Sequence, residues 1–263
     1  MGMKITILGS GTSTGVPQIG CTCPTCVSTD PRDKRLRCSS LLEIDGKRIL
    51  FDCSPDFREQ MMRLPYAPID ALLITHEHYD HVGGLDDLRP FCQFGDVDVY
   101  VEDYCAQRLR QRMPYCFTPK ENRYPGVPGI NLIDINPNVP FVIGGSVEVM
   151  PFRVMHGALP ILGFRIRNFV YITDMKTIPE EVLPVISDAD VLVVNALRRQ
   201  VHNSHQTIDD AIDFSKRINA HETYFIHMSH HVSPYEEEVK NIPRHFHLTY
   251  DGMVINVPDE NDK

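Results

Sequence analysis

The stretch Thr75-His76-Glu77-His78-Tyr79-Asp80-His81 follows directly on the apolar run Ala71-Leu72-Leu73-Ile74. No other feature constrains the chain as strongly. A short apolar run ending in a polar cluster reads as a buried strand that delivers a loop. Loops at strand ends are where a rigid scaffold presents chemistry. The loop holds three imidazoles and a carboxylate at His76, His78, Asp80 and His81. Imidazole is the commonest metal ligand, and a carboxylate adds a harder oxygen donor. A solvated histidine-rich loop would not need the H-x-H-x-D-H spacing or the strand before it.

The remaining pattern predicts an α/β chain. Residues 4–8 are β-branched and end at Gly9-Ser10-Gly11. No Walker lysine follows, so this reads as a tight turn near the site and not as a phosphate loop. Residues 40–45 and 48–52 are two apolar runs around Gly46-Lys47, a hairpin signal. Pro55 opens a predicted helix whose apolar face holds Phe57, Met61, Met62 and Leu64, with the methionine pair read as core. Further strands are expected at 71–74, 97–101, 131–135, 141–143, 147–152, 162–167, 169–173, 191–194 and 223–226. Helices are expected from Asp103 to about Met113, over 179–186 and over 207–219. Residues 114–130 form a loop longer than the common range. Two strand-rich halves punctuated by helices suggest two sheets face to face, with helices outside.

The cluster needs partners from elsewhere. His156 comes soon after the strand over 147–152, Asp174 ends Tyr171-Ile172-Thr173-Asp174, and His227 follows Tyr224-Phe225-Ile226. All stand at or just past a predicted strand end, and converging strand ends would make a site for two metals.

These pieces together resemble the metallo-β-lactamase superfamily over essentially the whole chain. The resemblance implies an αββα sandwich, as one domain over residues 1–263, with a dinuclear metal site at one edge of the two sheets. It implies that His76, His78 and His156 hold one metal, that Asp80, His81 and His227 hold the second, and that Asp174 bridges them. Asp80 would also manage the proton of the nucleophile. Asp52, in Leu50-Phe51-Asp52, looks like the family's acid that orients the histidine loop.

A second constellation is Cys21-Thr22-Cys23-Pro24-Thr25-Cys26. Three cysteines in this spacing can converge on one tetrahedral zinc and want a fourth ligand. His230, three positions after His227, is the first choice and His231 the alternative. This pairing resembles the phosphonate-pathway cyclic phosphodiesterases of the superfamily, which imply two catalytic zinc or manganese ions and one structural zinc. Cys38, Cys53, Cys92, Cys105 and Cys116 lack metal spacing and read as buried small hydrophobes or incidental thiols.

His205 stands just before Thr207, which reads as a helix N-cap. Phosphodiesterases of the superfamily carry a histidine at such a point, and it would bind a phosphate oxygen or protonate the leaving group. His202 is the second candidate. The expected function is hydrolysis of a small, cyclic phosphodiester by a metal-bridging hydroxide. A tRNA 3′-processing nuclease, a thioester or lactone hydrolase and a role in quinone cofactor synthesis remain as alternatives. Net charge is −9, which argues against a broad nucleic-acid footprint. No run of 18 apolar residues and no secretory leader are read, so a cytoplasmic, membrane-free protein with reduced thiols is expected. A homodimer fits the resemblance.

Overall fold

Apolar residues recur at every position of the central strands, not at every second one. In Lys47–Phe51 the side chains of Ile49 and Phe51 face one core and that of Leu50 faces another. Such strands are covered on both faces. The structure, a computed structural model, describes residues 2–257. Its first half contributes β1 (Met3–Gly9), β2 (Ser39–Ile44), β3 (Lys47–Phe51), β4 (Ala71–Leu73), β5 (Val97–Val101) and β6 (Ile130–Asp134). The second half contributes β7 (Phe141–Ile143), β8 (Val147–His156), β9 (Leu159–Ile166), β10 (Phe169–Ile172), β11 (Val191–Asn195), β12 (Glu222–Ile226) and β13 (Phe246–Leu248). The last strand, β14 (Val254–Val257), returns to pair with β1. The two seven-stranded sheets run β14-β1-β2-β3-β4-β5-β6 and β13-β12-β11-β10-β9-β8-β7. The helices are α1 (Pro24–Val27), α2 (Phe57–Met61), α3 (Tyr79–Val82), α4 (Asp103–Arg112), α5 (Leu183–Ile186), α6 (Ile208–Arg217) and α7 (Tyr235–Glu238).

Three apolar layers result. Between the sheets, Ile5, Ile49, Phe51 and Leu73 meet Leu162, Phe164, Tyr171 and Val193. Outside the first sheet, Leu50 and Leu72 pack on Phe57, Leu85, Ala106 and Leu109. Outside the second, Val170, Leu192 and Val194 pack on Ile186, Ile208, Ala211 and Phe214. The fold is the expected αββα sandwich. Phe51 fixes one sheet on the other. Its ring stacks on Tyr171 at 4.5 Å and lies 6.0 Å from Phe164 and 5.9 Å from Phe169. Each such pair is worth about 0.5–1.5 kcal/mol beyond the area it buries.

The strands that matter for the site are parallel within each sheet. β3, β4 and β5 run together in the first, and β10, β11 and β12 in the second. Their carboxyl ends open at the same end of the sandwich, where α/β sheets place ligands. Gly84 lets this end close. A Cβ there would stand 2.1 Å from the Ser54 carbonyl oxygen and 2.7 Å from the Phe57 Cβ. Gly9-Ser10-Gly11 is also a close crossing, with Gly11 N–H on the Leu36 carbonyl at 2.8 Å and Met228 N–H on the Ser10 carbonyl at 3.0 Å.

Several expectations change. The helix after Pro55 spans only Phe57–Met61, so Met61 is buried while Met62 is 74% exposed. Strand 147–152 continues to His156, which makes that residue the strand's last and not one beyond it. The stretch 114–130 contains two short 3-10 turns, Pro114–Phe117 and Lys120–Asn122. Leu85–Phe94 is a long 3-10 segment that was not anticipated.

Candidate metal centre

Three site residues leave their strands through the left-handed region. Asp52 after β3, Asp174 after β10 and His227 after β12 have φ of 56°, 57° and 59°. Asp and His are among the few residue types that enter this region readily. The turn swings each side chain off its strand end and into the space between the sheets.

Around the Asp174 carboxylate three ligand-type groups form. Asp174 Oδ1 lies 3.3 Å from His81 Nε2 and 3.1 Å from His227 Nε2, and Asp80 Oδ2 lies 3.2 Å and 3.4 Å from the same two nitrogens. Nitrogen and oxygen ligands held ~2.0–2.1 Å from one ion in a tetrahedron stand ~3.3–3.4 Å apart. The four atoms therefore have the spacing that an ion requires. The other carboxylate oxygen, Asp174 Oδ2, lies 3.9 Å from His76 Nε2, which is 2.9 Å from His78 Nδ1. His156 completes this side, its ring centroid 5.3 Å from that of His78. Its Nδ1 donates to the Ser204 carbonyl at 2.8 Å, which leaves Nε2 as the free ligand atom. The structure thus brings together all seven residues that the sequence nominated, in three groups that share Asp174: one with Asp80, His81 and His227, one with His76 and His78, and one with His156 and His205.

Burial and mutual charge shift these groups in opposite directions. Burial pushes His76 well below the usual histidine range. Burial opposes the charged forms of Asp80 and Asp174, yet His81 and His227 hold both carboxylates below their ordinary values. His81 is raised well above its ordinary value. Burial opposes its charge, but Asp174, Asp80 and Asp52 outweigh that. His81 Nε2 is buried with no hydrogen-bond partner, as an atom aimed at an ion would be.

Asp52 ties the two sides together. It is fully buried, and its carboxylate accepts from Thr75 N–H at 2.8 Å and from His81 Nδ1 at 2.7 Å. Thr75 Oγ1 in turn contacts His76 Nδ1 at 2.9 Å. His227 Nδ1, by contrast, is buried without a partner.

His205 is 8% exposed and lies against the same carboxylate, with Nδ1 4.0 Å from Asp174 Oδ2. Its ring stacks on His227 at 5.0 Å and lies 4.5 Å from His156. Burial brings it down to about 3, despite the pull of Asp174. His202 stands 5.1 Å from His205, and its Nδ1 accepts from Ser204 N–H at 3.3 Å.

The cysteine group also assembles. Cys21 Sγ and Cys23 Sγ lie 3.2 Å and 3.5 Å from His230 Nδ1, and Cys26 belongs to the same cluster. The His231 ring lies tilted against that of His230 at 4.1 Å and is not part of the group. All eight cysteines are free thiols. Burial opposes charge on Cys23, but hydrogen bonds led by that from His230 bring its thiol down to about 6. Burial holds Cys26 up at about 11. One ready thiolate beside a histidine suits a zinc ion, whose charge would deprotonate the others.

Residues 47–228 match the Beta-lactamase superfamily domain. The chain belongs to the metallo-β-lactamase superfamily, a class whose divalent-metal sites the His/Asp cluster fits. Within it, the chain belongs with the PhnP family. A crystal structure of a new diphosphatase from that family superposes with a TM-score of 0.89, at 35% identity, over 97% of each chain. The zinc-bound PqqB of Methylobacterium extorquens shares the fold, with a TM-score of 0.81 and 20% identity, over 96% of this chain and 99% of that one. An octanoyltransferase of Porphyromonas gingivalis is 46% identical over 253 residues, which cover 95% of this chain and 51% of that protein. The chain thus spans about half the length of that curated relative. Among the described residues no helix is long and apolar enough to cross a membrane.

Proposed function

We propose that the protein is a dinuclear metal-dependent phosphodiesterase acting on a small, preferably cyclic, phosphodiester. The observation that carries this is His205. It is an eighth ligand-type side chain set against the Asp174 carboxylate beside His156, beyond the seven that would hold two ions. Its burial keeps the ring neutral, so it serves best as a hydrogen-bond donor to a phosphoryl oxygen and less well as a proton store. His76, His78 and His156 would hold one zinc or manganese ion, Asp80, His81 and His227 the other, with Asp174 between. Such a pair supplies positive charge for the attacking and leaving oxygens and acidifies water. Cys21, Cys23, Cys26 and His230 would hold a structural zinc.

A second reading, hydrolysis of a diphosphate linkage, is favoured by the 35% identical diphosphatase. Both readings cleave a P–O bond and both need His205. The octanoyl transfer named for the longer relative belongs, on this reading, to the half without a counterpart here.

Metal-loaded protein should be assayed on bis(p-nitrophenyl) phosphate, nucleoside and ribose cyclic phosphates, dinucleoside diphosphates, a tRNA precursor, and thioester and lactone substrates. Turnover of the small phosphodiesters, lost in Asp80→Ala and reduced in His205→Ala, is the expected result. Activity confined to diphosphates selects the second reading. Activity confined to carbonyl substrates or to the tRNA precursor overturns both.

A further inference from the structure

Asn195 is an anomaly in its strand. It ends the run Val191-Leu192-Val193-Val194, is fully buried, and belongs to a type that strands disfavour. Burying a carboxamide costs free energy unless both of its ends are paired. Both are paired here, and to a single residue. Asn195 Oδ1 accepts from Met175 N–H at 2.7 Å, and Asn195 Nδ2 donates to the Met175 carbonyl at 3.0 Å. Met175 immediately follows Asp174, whose left-handed φ of 57° carries its carboxylate off β10.

The same junction reaches two more site residues. The Met175 carbonyl also accepts from Gln206 N–H at 3.0 Å, one position after His205. The backbone of Asn195 pairs with Ile226, one position before His227, and Ala196 N–H donates to the Ile226 carbonyl at 3.0 Å. The side chain thus fixes the backbone exit of Asp174 through Met175, whose carbonyl also holds the residue after His205, while the backbone of Asn195 stands in the ladder that ends before His227.

We infer that Asn195 is the positioning residue for the bridging carboxylate Asp174. It touches neither ion nor substrate and acts by clamping Met175. The inference rests on the two-ion reading of the site and not on the choice of substrate.

The test is Asn195→Leu, which keeps the branched shape and removes both hydrogen-bonding ends of the clamp, with Asn195→Asp as the second variant. Asp keeps the acceptor for Met175 N–H and loses the donor to its carbonyl. Metal-free wild type and variants are first compared by circular dichroism and then titrated with Mn2+ by calorimetry and electron paramagnetic resonance. Two Mn2+ ions bridged by a carboxylate give an exchange-coupled spectrum that isolated ions do not. The expected result is folded variants whose Mn2+ affinity falls ~10–100-fold, the usual range for residues that orient metal ligands. Part of the coupled signal should give way to isolated Mn2+, and Asn195→Asp should retain more of it than Asn195→Leu. If Asn195→Leu does not fold, the same loss in Asn195→Asp carries the test. A folded variant with wild-type affinity and an unchanged coupled spectrum overturns the inference. Wild type that binds no coupled pair removes the two-ion site, and the inference with it.

Discussion

Replacing Asp52 by Asn should cost the site one ion while leaving the fold intact. The carboxylate is fully buried, and its four contacts are to Thr75 N–H at 2.8 Å, Thr75 Oγ1 at 3.1 Å and 2.9 Å, and His81 Nδ1 at 2.7 Å. Asparagine has one acceptor and one donor end. Thr75 N–H is a fixed donor, so the amide oxygen must face it and the NH2 must face His81. A proton on His81 Nδ1 would then oppose the NH2. The imidazole answers by moving its proton to Nε2, the atom 3.2 Å from Asp80 Oδ2 and 3.3 Å from Asp174 Oδ1. A protonated Nε2 cannot bind a metal. Loss of such an orienting carboxylate lowers metal affinity ~10–100-fold, or about 1.4–2.7 kcal/mol at 1.36 kcal/mol per tenfold. Loss of one charged hydrogen bond gives a similar figure, about 1.5–3 kcal/mol. Calorimetric titration of the metal-free variant should therefore show one near-normal ion, held by His76, His78 and His156, and one weakened ion. Thermal unfolding of the metal-free protein should show the fold retained. Two ions bound with wild-type affinity would refute the role given to Asp52.

Elemental analysis of dialysed, zinc-loaded protein should find three ions per chain, two from the His/Asp groups and one from the cysteines. One ion or none would contradict the assignment. Cys21→Ala should retain the His/Asp ions but lose the third, and should lower Tm by roughly 5–10 °C, since structural zinc contributes directly to folding. Asp56→Asn should destabilise by about 1–2 kcal/mol near neutrality, because its carboxylate accepts the Arg37 guanidinium at 2.8 Å and 2.5 Å. Burial works against that carboxylate, but Arg37 holds it below its ordinary 3.8, so its contribution is present above 3.8 and is lost as pH falls through the lower folded value. Acid-unfolding curves of variant and wild type should converge below that point, and a gap that persists would show another origin.

The His/Asp cluster was legible because its residue types stand out against the strands that carry them. His76, His78, Asp80 and His81 follow an apolar run, and Asp174 and His227 each end one. Less legible were elements whose residues answer to distant partners. β8 reads as ending at residue 152 because Pro151 and Arg153 interrupt its apolar pattern. In the fold, Arg153 is neutralised by Glu102 and the strand runs on to His156. The three-residue β13 is shorter than any window that reveals a period, and it forms only because β12 lies beside it. Leu85–Phe94 carries Asp86, Asp87 and Pro90, which read as loop. Its helical turns depend on packing Leu85, Leu88 and Phe91 against the first sheet. Asn195 had a signal, a carboxamide closing an apolar strand, but its partner Met175 lies 20 positions away.

The left-handed exits show why these positions are acidic or histidine and not glycine. Glycine would adopt the φ values of 56°, 57° and 59° at Asp52, Asp174 and His227 without strain. It would bring no carboxylate or imidazole to the site. A side chain in that region costs of order 1–3 kcal/mol unless its surroundings fix it. Each of the three is fixed. Asp52 N–H bonds the Leu73 carbonyl at 2.9 Å, Asp174 lies between Thr173 Oγ1 at 2.7 Å and the clamped Met175, and His227 is followed by Met228 N–H on the Ser10 carbonyl. The strain is therefore carried by strand pairing from both sheets, and the same hydrogen bonds that hold the sandwich together aim these site side chains. A substitution that loosens β3, β10 or β12 near its carboxyl end should lower metal affinity before it lowers helix content. Titration and circular dichroism on one sample can separate the two effects.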